Sequence, residues 1–230
     1  MTNDVLAPIE ELLRMPAPCP EPQALACDGT DLWVGCVDTS RIFGLRGNTG
    51  EIFEEASAPG EPIGMTVTGD ALRVVTSEGT DDHRFIRRYV FGHGFKTEGI
   101  ACPDDTGSFL GYDGDALFLS QRHQKRILEL DATGAVRRTI AVPREITGMV
   151  VIGGRFFLMT VESKDSLHSK IMRVDARKGE PEIVELADVP FKGRSLAWDG
   201  TKFWTNSRSE KMIVAFSAVG TWDRATPESR

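Results

Sequence analysis

A short pattern of two apolar runs joined by a tight polar turn occurs five times along the chain. The first copy is ALACDGTDLWVG, and the others are MTVTGDALRVVT, LGYDGDALFLSQ, MVVIGGRFFLMT and LAWDGTKFWTNS. Each turn contains a shared glycine, and these glycines follow one another at intervals of 40, 45, 39 and 47 residues: Gly29, Gly69, Gly114, Gly153 and Gly200. Asp-Gly between apolar runs favours a tight hairpin, because its residues tolerate positive φ. The pattern therefore predicts five β-hairpins.

A second repeated pattern follows each hairpin and predicts further strands. It reads RIFGLRGNTGEI, FIRRYVFGHGF, RILELDATGAV and KIMRVDARKGEPEI, and it ends in the fragment MIVAFSAVG. Each complete copy contains a third strand, a glycine-containing turn and a fourth strand. Four strands in a repeat of about 40 to 47 residues are typical of a propeller blade.

The fifth unit lacks its fourth strand, and the N-terminal segment 6–18, LAPIEELLRMPAP, is a candidate for it. A strand from this segment would close the ring of blades and remove the exposed sheet edges. The alternative is that EELLRM forms a short helix and the ring closes differently. We predict one all-β domain over 1–230, a five-bladed β-propeller with four-stranded antiparallel blades closed by the N-terminal strand. A C-terminal tail, at about 220–230, is expected to be poorly ordered.

Positions counted back from the shared glycine predict how each first strand packs. The residue four places before the glycine is large and apolar in every copy, so we expect it between blades: Leu25, Met65, Leu110, Met149 and Leu196. The next residue is smaller in every copy, which suits an innermost strand beside a narrow central channel.

The repeated unit resembles a broad group of known propellers. Copies such as ALACDGTDLWVG and YDGDALFLSQRHQKRILELDATG carry Asp-Gly-x-x-Leu-Trp-Val or Ile-x-x-Leu-Asp-x-x-Thr-Gly, in whole or in part. In this pattern the chain is similar to the bacterial glutamine cyclotransferase-like proteins, the virginiamycin B lyase-like proteins and the NHL-type repeats. Its five blades bring it nearest to the bacterial glutaminyl cyclase type. The matching residues are structural, so the resemblance implies the fold and leaves the reaction open.

Composition and charge argue against two classes of partner. The net charge is −7 and the basic runs are short, which disfavours nucleic acid. No apolar run approaches the roughly 18 residues of a membrane helix, and the N-terminus lacks the pattern of a secretory signal. The four cysteines form no CxxC pair, so free thiols and a cytoplasmic location are expected.

Function is expected on the face of the propeller that carries its longer, charged loops. His83, His123 and His168 occupy equivalent loops of three consecutive blades on this face. Converging imidazoles bind a divalent metal and leave a position for water or substrate. We therefore predict one divalent metal ion of unspecified identity and no organic cofactor. The alternative is three exposed histidines, each with local hydrogen bonds.

Charged side chains on the same face are candidates for catalysis and binding. Glu145 and Glu162 are predicted as carboxylate ligands or general bases. Arginines paired with such acids clamp carboxylates or phosphates, and four lie on this face: Arg122, Arg144, Arg194 and Arg208. Glu61 lies eight residues before its shared glycine, on the rim of the channel. The alternative for all of them is a solvated rim with surface ion pairs.

Two functions follow from these observations. The favoured hypothesis is an enzyme that acts on a small polar metabolite at the channel mouth, with lyase, cyclase or hydrolase chemistry assisted by a metal or a histidine. Its predicted catalytic residues are Glu145, Glu162, Arg122 and Arg144. The alternative is a non-catalytic platform that binds a ligand or a protein partner.

Overall fold

The computed structural model describes residues 6–163, 165–177 and 179–217, which form five sheets of four antiparallel strands. Blade 1 contains β2 to β5, at Pro22–Cys27, Leu32–Cys36, Arg41–Leu45 and Ile52–Ser57. Blade 2 contains β6 to β9, at Glu61–Thr68, Ala71–Glu78, His83–Val90 and Gly94–Ala101. Blade 3 contains β10 to β13, at Leu110–Tyr112, Leu117–Gln121, Arg126–Leu130 and Val136–Ala141.

Blade 4 contains β14 to β17, at Glu145–Ile152, Arg155–Val161, Ser169–Asp175 and Glu182–Val189. Blade 5 contains β18 to β20, at Gly193–Trp198, Phe203–Ser207 and Met212–Ser217, with β1 at Glu10–Pro16 as its fourth strand. The one helical segment in the described ranges is a 3-10 turn at Pro103–Asp105. No helix there is long and apolar enough to cross a membrane.

The five first strands contact one another in a closed cycle, in the order β2, β6, β10, β14, β18 and back to β2. The hairpin that follows each first strand has the predicted turn, because all five shared glycines adopt positive φ, from 57° to 105°. In three turns the preceding aspartate accepts backbone hydrogen bonds: Asp28, Asp113 and Asp199. The predicted five-bladed propeller is confirmed.

The N-terminal segment closes the ring. Strand β1 pairs with β20 from Glu10 opposite Ser217 to Pro16 opposite Met212. Before β1, Ile9 donates its backbone N–H to the carbonyl of Asp188 in β17, at 2.9 Å. The predicted closing strand is thus confirmed, and the alternative helix is wrong because β20 offers this segment an unpaired edge. The predicted tail at 220–230 lies outside the described residues.

Five apolar clusters form the core, and each contains one residue from the position four places before the shared glycine. These residues expose at most 2% of their surface: Leu25, Met65, Leu110, Met149 and Leu196. Each cluster draws side chains from neighbouring blades. The prediction that this position packs between blades is confirmed.

Two cysteines form a disulfide, which corrects the expectation of four free thiols. Cys19 lies between β1 and β2, and Cys36 ends β3. The two cysteines are 17 positions apart in sequence, and folding brings them together. Because their spacing matches no CxxC motif, nothing in the sequence indicated that they form a bond. The cytoplasmic location remains a prediction, and the disulfide weighs against it because reducing compartments rarely retain such bonds.

Removal of the disulfide should lower the free energy of unfolding. A Cys19→Ser/Cys36→Ser variant is expected to lose about 3 kcal/mol, the value for a loop of this length, because its unfolded chain is less constrained. Guanidinium denaturation with and without reductant measures the effect. Reductant should shift the midpoint of the natural chain and leave that of the variant unchanged. A natural chain that is insensitive to reductant would contradict this expectation.

Candidate functional site

One position of the repeat, in the first strand of four blades and just before it in blade 3, lies at the mouth of the channel on the long-loop face. It is six residues before the shared glycine, and we call its occupants the inner ring: Gln23, Ile63, Ser108, Thr147 and Arg194. In blades 1, 2 and 4 this residue is the extra one of a β-bulge, where the strand pairing shifts by one position. Bulges re-aim side chains and are frequent beside functional sites.

A cavity of about 370 Å³ opens at this mouth, and we call it the central cavity. Four inner-ring residues line it, together with long-loop residues from blades 1, 2, 3 and 5. Most of its walls are polar or charged. Polar groups include Gln23, Thr106 and Ser108, and the apolar contribution includes Ile63 and Phe109. Its volume lies in the range of small-molecule sites.

Arg194 is the inner-ring residue with a charge, and it is partly buried. Among the described residues, its guanidinium has no carboxylate within ion-pair distance and no hydrogen-bond acceptor. Burial, followed by the positive charges of Arg122 and Arg208, lowers the pKa of Arg194 to about 10. The side chain therefore stays charged at neutral pH in surroundings that disfavour its charge. A bound anion would relieve this imbalance.

The other arginines of the central cavity do have acidic partners. Arg122 binds Glu145, with its Nη2 at 2.8 Å from a carboxylate oxygen. Arg208 binds Glu21 and also donates to Gln23 at 3.3 Å. A neighbouring cavity of about 490 Å³ shares Arg194 and Arg208 and adds Lys192. This side of the channel mouth is therefore predominantly basic.

Of the predicted histidines, His123 lines the central cavity. Its Nδ1 lies 3.5 Å from Glu145, on the carboxylate that Arg122 also holds. Although burial opposes the shift, Arg122 and His123 lower the pKa of Glu145, so this carboxylate is ionised at neutral pH. Glu145, Arg122 and His123, which were all predicted from the sequence, thus form one connected group.

Arg144 and Glu162 lie elsewhere, together with His168. They line a separate cavity of about 520 Å³. There Arg144 binds Glu162 at 3.0 Å and Glu185 at 2.6 Å. The structure therefore divides the predicted catalytic residues between two cavities, because the loops of successive blades spread apart around the ring.

His83 has its own carboxylate partner. Its Nδ1 lies 2.6 Å from Asp105, and the hydrogen bond and charge of Asp105 raise the pKa of this exposed imidazole. None of the three histidines belongs to a three-ligand group within the described part of the chain. The three-ligand group found there consists of Cys19, Cys36 and Asp38. The sulfurs of its two cysteines are bonded to each other in the disulfide, so they are not free to ligate a metal. The metal ion stays a prediction that this geometry does not support.

The two unpaired cysteines are shielded. Burial raises the pKa of Cys102 to about 12 and that of Cys27 to about 11. Because the thiolate is the reactive form, both thiols are poor nucleophiles.

The sequence analysis did not identify inner-ring residues such as Gln23 and Ser108 as candidates for the site. Their residue types differ from blade to blade, so only their common position, six places before the shared glycine, could have identified them. Arg194 was recognised only as one of several arginines on the long-loop face. Its lack of a partner depends on the folded arrangement.

The fold defines the class of protein: a five-bladed β-propeller with a charged cavity at one mouth. No family model matches the chain, and no curated protein matches its sequence. The resemblance to the cyclotransferase-like and lyase-like propellers therefore remains a prediction.

Solved structures share the fold at low identity. Kuenenia stuttgartiensis hydrazine synthase is 16% identical with a TM-score of 0.55, over 82% of this chain and 62% of that chain. This chain thus spans less than two thirds of the hydrazine synthase chain. BamB from Moraxella catarrhalis is 12% identical with a TM-score of 0.50, over 94% of this chain and 99% of the BamB chain. A chain of a mitotic checkpoint complex is 11% identical with a TM-score of 0.54, over 94% of both chains. These likenesses show the propeller fold alone.

Proposed function

We propose that the protein binds a small anionic molecule in the central cavity and that Arg194 holds its negative group. The observation that carries this proposal is the partly buried guanidinium of Arg194, which lacks an acidic partner among the described residues. A partly buried charge without an ion-pair partner is destabilising, and here the distant carboxylate of Glu145 offsets this only in part. A carboxylate or phosphate would compensate it with two parallel hydrogen bonds to the planar guanidinium.

The surrounding side chains support a ligand of this kind. Arg122 and Arg208 lie beside Arg194 in the cavity wall, each paired with a carboxylate, so no acidic group of theirs is left over for Arg194. Gln23 and Ser108 line the same cavity and offer neutral hydrogen-bonding groups. The cavity volume of about 370 Å³ suits a metabolite rather than a folded partner.

The pair of His123 and Glu145 supports a catalytic role beside the bound anion. A carboxylate that orients an imidazole is a common arrangement for general acid–base catalysis. Lyase, cyclase and hydrolase reactions all need such a proton transfer. We therefore propose His123 as the acid–base group, oriented by Glu145, which is itself held by Arg122.

A platform for a protein partner is the second candidate. Leu167, which is 79% exposed, favours it because this large apolar side chain lies on the long-loop face, beside Arg144 and His168. Exposed apolar side chains are enriched at protein contacts when they form a patch.

Substitution of Arg194 tests the proposed anion site. Arg194→Met should weaken binding of succinate and inorganic phosphate at least about tenfold, the loss expected for a charge-assisted hydrogen bond. It should also raise the free energy of unfolding of the ligand-free protein by about 1 kcal/mol, because an uncompensated cation is removed. Titrations at low ionic strength and urea denaturation measure the two effects.

Arg173→Met is the matched control, because Arg173 lies in β16 outside the central cavity and binds Glu182 at 3.4 Å. This variant should bind both anions as the natural chain does. All titrations use protein dialysed against EDTA. If protein that has not been treated with EDTA binds the anions and the treated protein does not, the anions bind to the predicted metal instead of Arg194. If the natural chain binds neither anion, the platform becomes the better hypothesis.

A further inference from the structure

The central cavity contains an unpaired negative charge as well as an unpaired positive one. Glu61, at the start of β6, lines the cavity and is exposed to it. Among the described residues, its carboxylate makes no ion pair and no hydrogen bond. In particular, Glu61 and Arg194 line the same cavity without forming a salt bridge with each other.

The remaining charges of the cavity are largely neutralised by their own partners. Asp82 binds Arg84 at 2.7 Å, and Asp105 binds His83 at 2.6 Å. Arg122 and Arg208 bind Glu145 and Glu21, as described above. Once these groups are paired, one cation, Arg194, and one anion, Glu61, remain without an ion-pair partner in the cavity. A ligand with both charges could pair with both.

The two unpaired charges come from different sides of the channel mouth. Glu61 belongs to blade 2, which also supplies Asp82, and Asp105 follows the same blade. Arg194 and Arg208 belong to blade 5. Blades 2 and 5 flank blade 1, because β2 contacts both β6 and β18. The cavity therefore has an acidic side and a basic side, with the neutral Gln23 of blade 1 between them.

From this arrangement we infer that the ligand is dipolar: a small molecule with a carboxylate or phosphate for Arg194 and an ammonium or guanidinium group for Glu61. This inference rests on the proposed anion site and adds the second charge. A molecule with both groups fits both sides of the cavity, whereas a simple anion leaves Glu61 unpaired. Complementary charges at both ends also fix the orientation of the ligand relative to His123.

Matched series of probes test the inference. Glycine, 4-aminobutyrate and 6-aminohexanoate carry a carboxylate and an ammonium group, while acetate, butyrate and hexanoate lack the ammonium group. At low ionic strength, at least one amino acid should bind about tenfold more tightly than its matched carboxylate. Chemical-shift titration of isotope-labelled, full-length protein measures the affinities and locates the probe.

Two variants assign the difference to Glu61. Glu61→Gln should abolish the preference for the amino acid, while the carboxylate still binds with equal or higher affinity because a negative charge of the cavity is removed. Glu98→Gln, on the exposed outer strand β9 of the same blade, should retain the preference. Because Glu61 is exposed and unpaired, its substitution should not impair folding.

The outcomes separate this inference from the proposed function. Equal affinities within every matched pair, or a preference that survives in Glu61→Gln, would overturn the dipolar ligand. Carboxylate binding that still depends on Arg194 would then leave the anion site intact. If neither series binds while succinate or phosphate still binds through Arg194, only the dipolar ligand is overturned. If none of these probes binds to the natural chain, both proposals fail.

Discussion

A chain that lacks residues 1–16 should fail to form a stable closed propeller. The deletion removes β1, which pairs with β20, and it removes the buried Met15 from the cluster that contains Leu25 and Trp204. It also exposes an unpaired edge at β20, which promotes aggregation. We expect a loss of more than about 5 kcal/mol, comparable to the entire free energy of unfolding of a typical domain. Thermal unfolding followed by circular dichroism, together with size-exclusion chromatography, measures the effect.

A chain that lacks only residues 1–5 is the control, because it retains every described strand. It should unfold at the temperature of the full chain. A synthetic peptide of residues 6–18 should restore cooperative unfolding to the truncated chain, since it supplies the missing fourth strand. If the truncated chain melts within a few degrees of the full chain, the N-terminal strand does not close the ring in solution.

Gly148→Ala should also destabilise the protein strongly. Gly148 lies in β14, where a Cβ would stand 2.6 Å from the carbonyl oxygen of Ser195 and 2.8 Å from the backbone nitrogen of Leu196. Both atoms belong to β18, so no side chain can rotate away to make room. We expect a loss of about 3 kcal/mol, the upper part of the range for overpacking. Because Ser195 follows Arg194, the displaced backbone should also weaken succinate binding.

Gly99→Ala is the matched control for this substitution. Gly99 likewise lies in a strand, but the atoms nearest to a Cβ there belong to the side chain of Arg87, at 2.8 to 3.0 Å, and not to the backbone. The control should cost clearly less than Gly148→Ala, because Arg87 can shift at the expense of its ion pair with Glu78, whereas the backbone of β18 cannot. Urea denaturation of both variants compares them directly. Equal and small effects would contradict the close approach of β14 and β18.

The repeat predicted most of the fold because the same backbone and packing requirements recur at the same positions of every blade. Each shared glycine is needed where the backbone adopts positive φ, and each apolar residue four places earlier is needed between blades. Both requirements recur with every blade, so five copies make them visible against the varying positions. Ring closure was predicted with less support, because the pairing of β1 with β20 joins the two ends of the described chain.

The candidate site was predicted only in part. The sequence placed Arg122, His123 and Glu145 on one face, and the structure joins them in one group. It placed Arg144, Glu162 and His168 on that face as well, but these line another cavity. Equivalent positions in a repeat share a radius and a height, and they differ in direction around the ring. Sequence register therefore could not tell which loops converge.

By itself, the sequence determined the number of blades, the turns of the hairpins and the residues buried between blades. Only the tertiary structure decided the disulfide of Cys19 and Cys36, the pairing of each charged side chain, and the isolation of Arg194 and Glu61 in one cavity. The physical reason is the range of the interactions. Turn residues and the apolar pattern of a strand can be read within a few residues of the chain, whereas a charge is satisfied or left unpaired by groups that folding brings from distant blades.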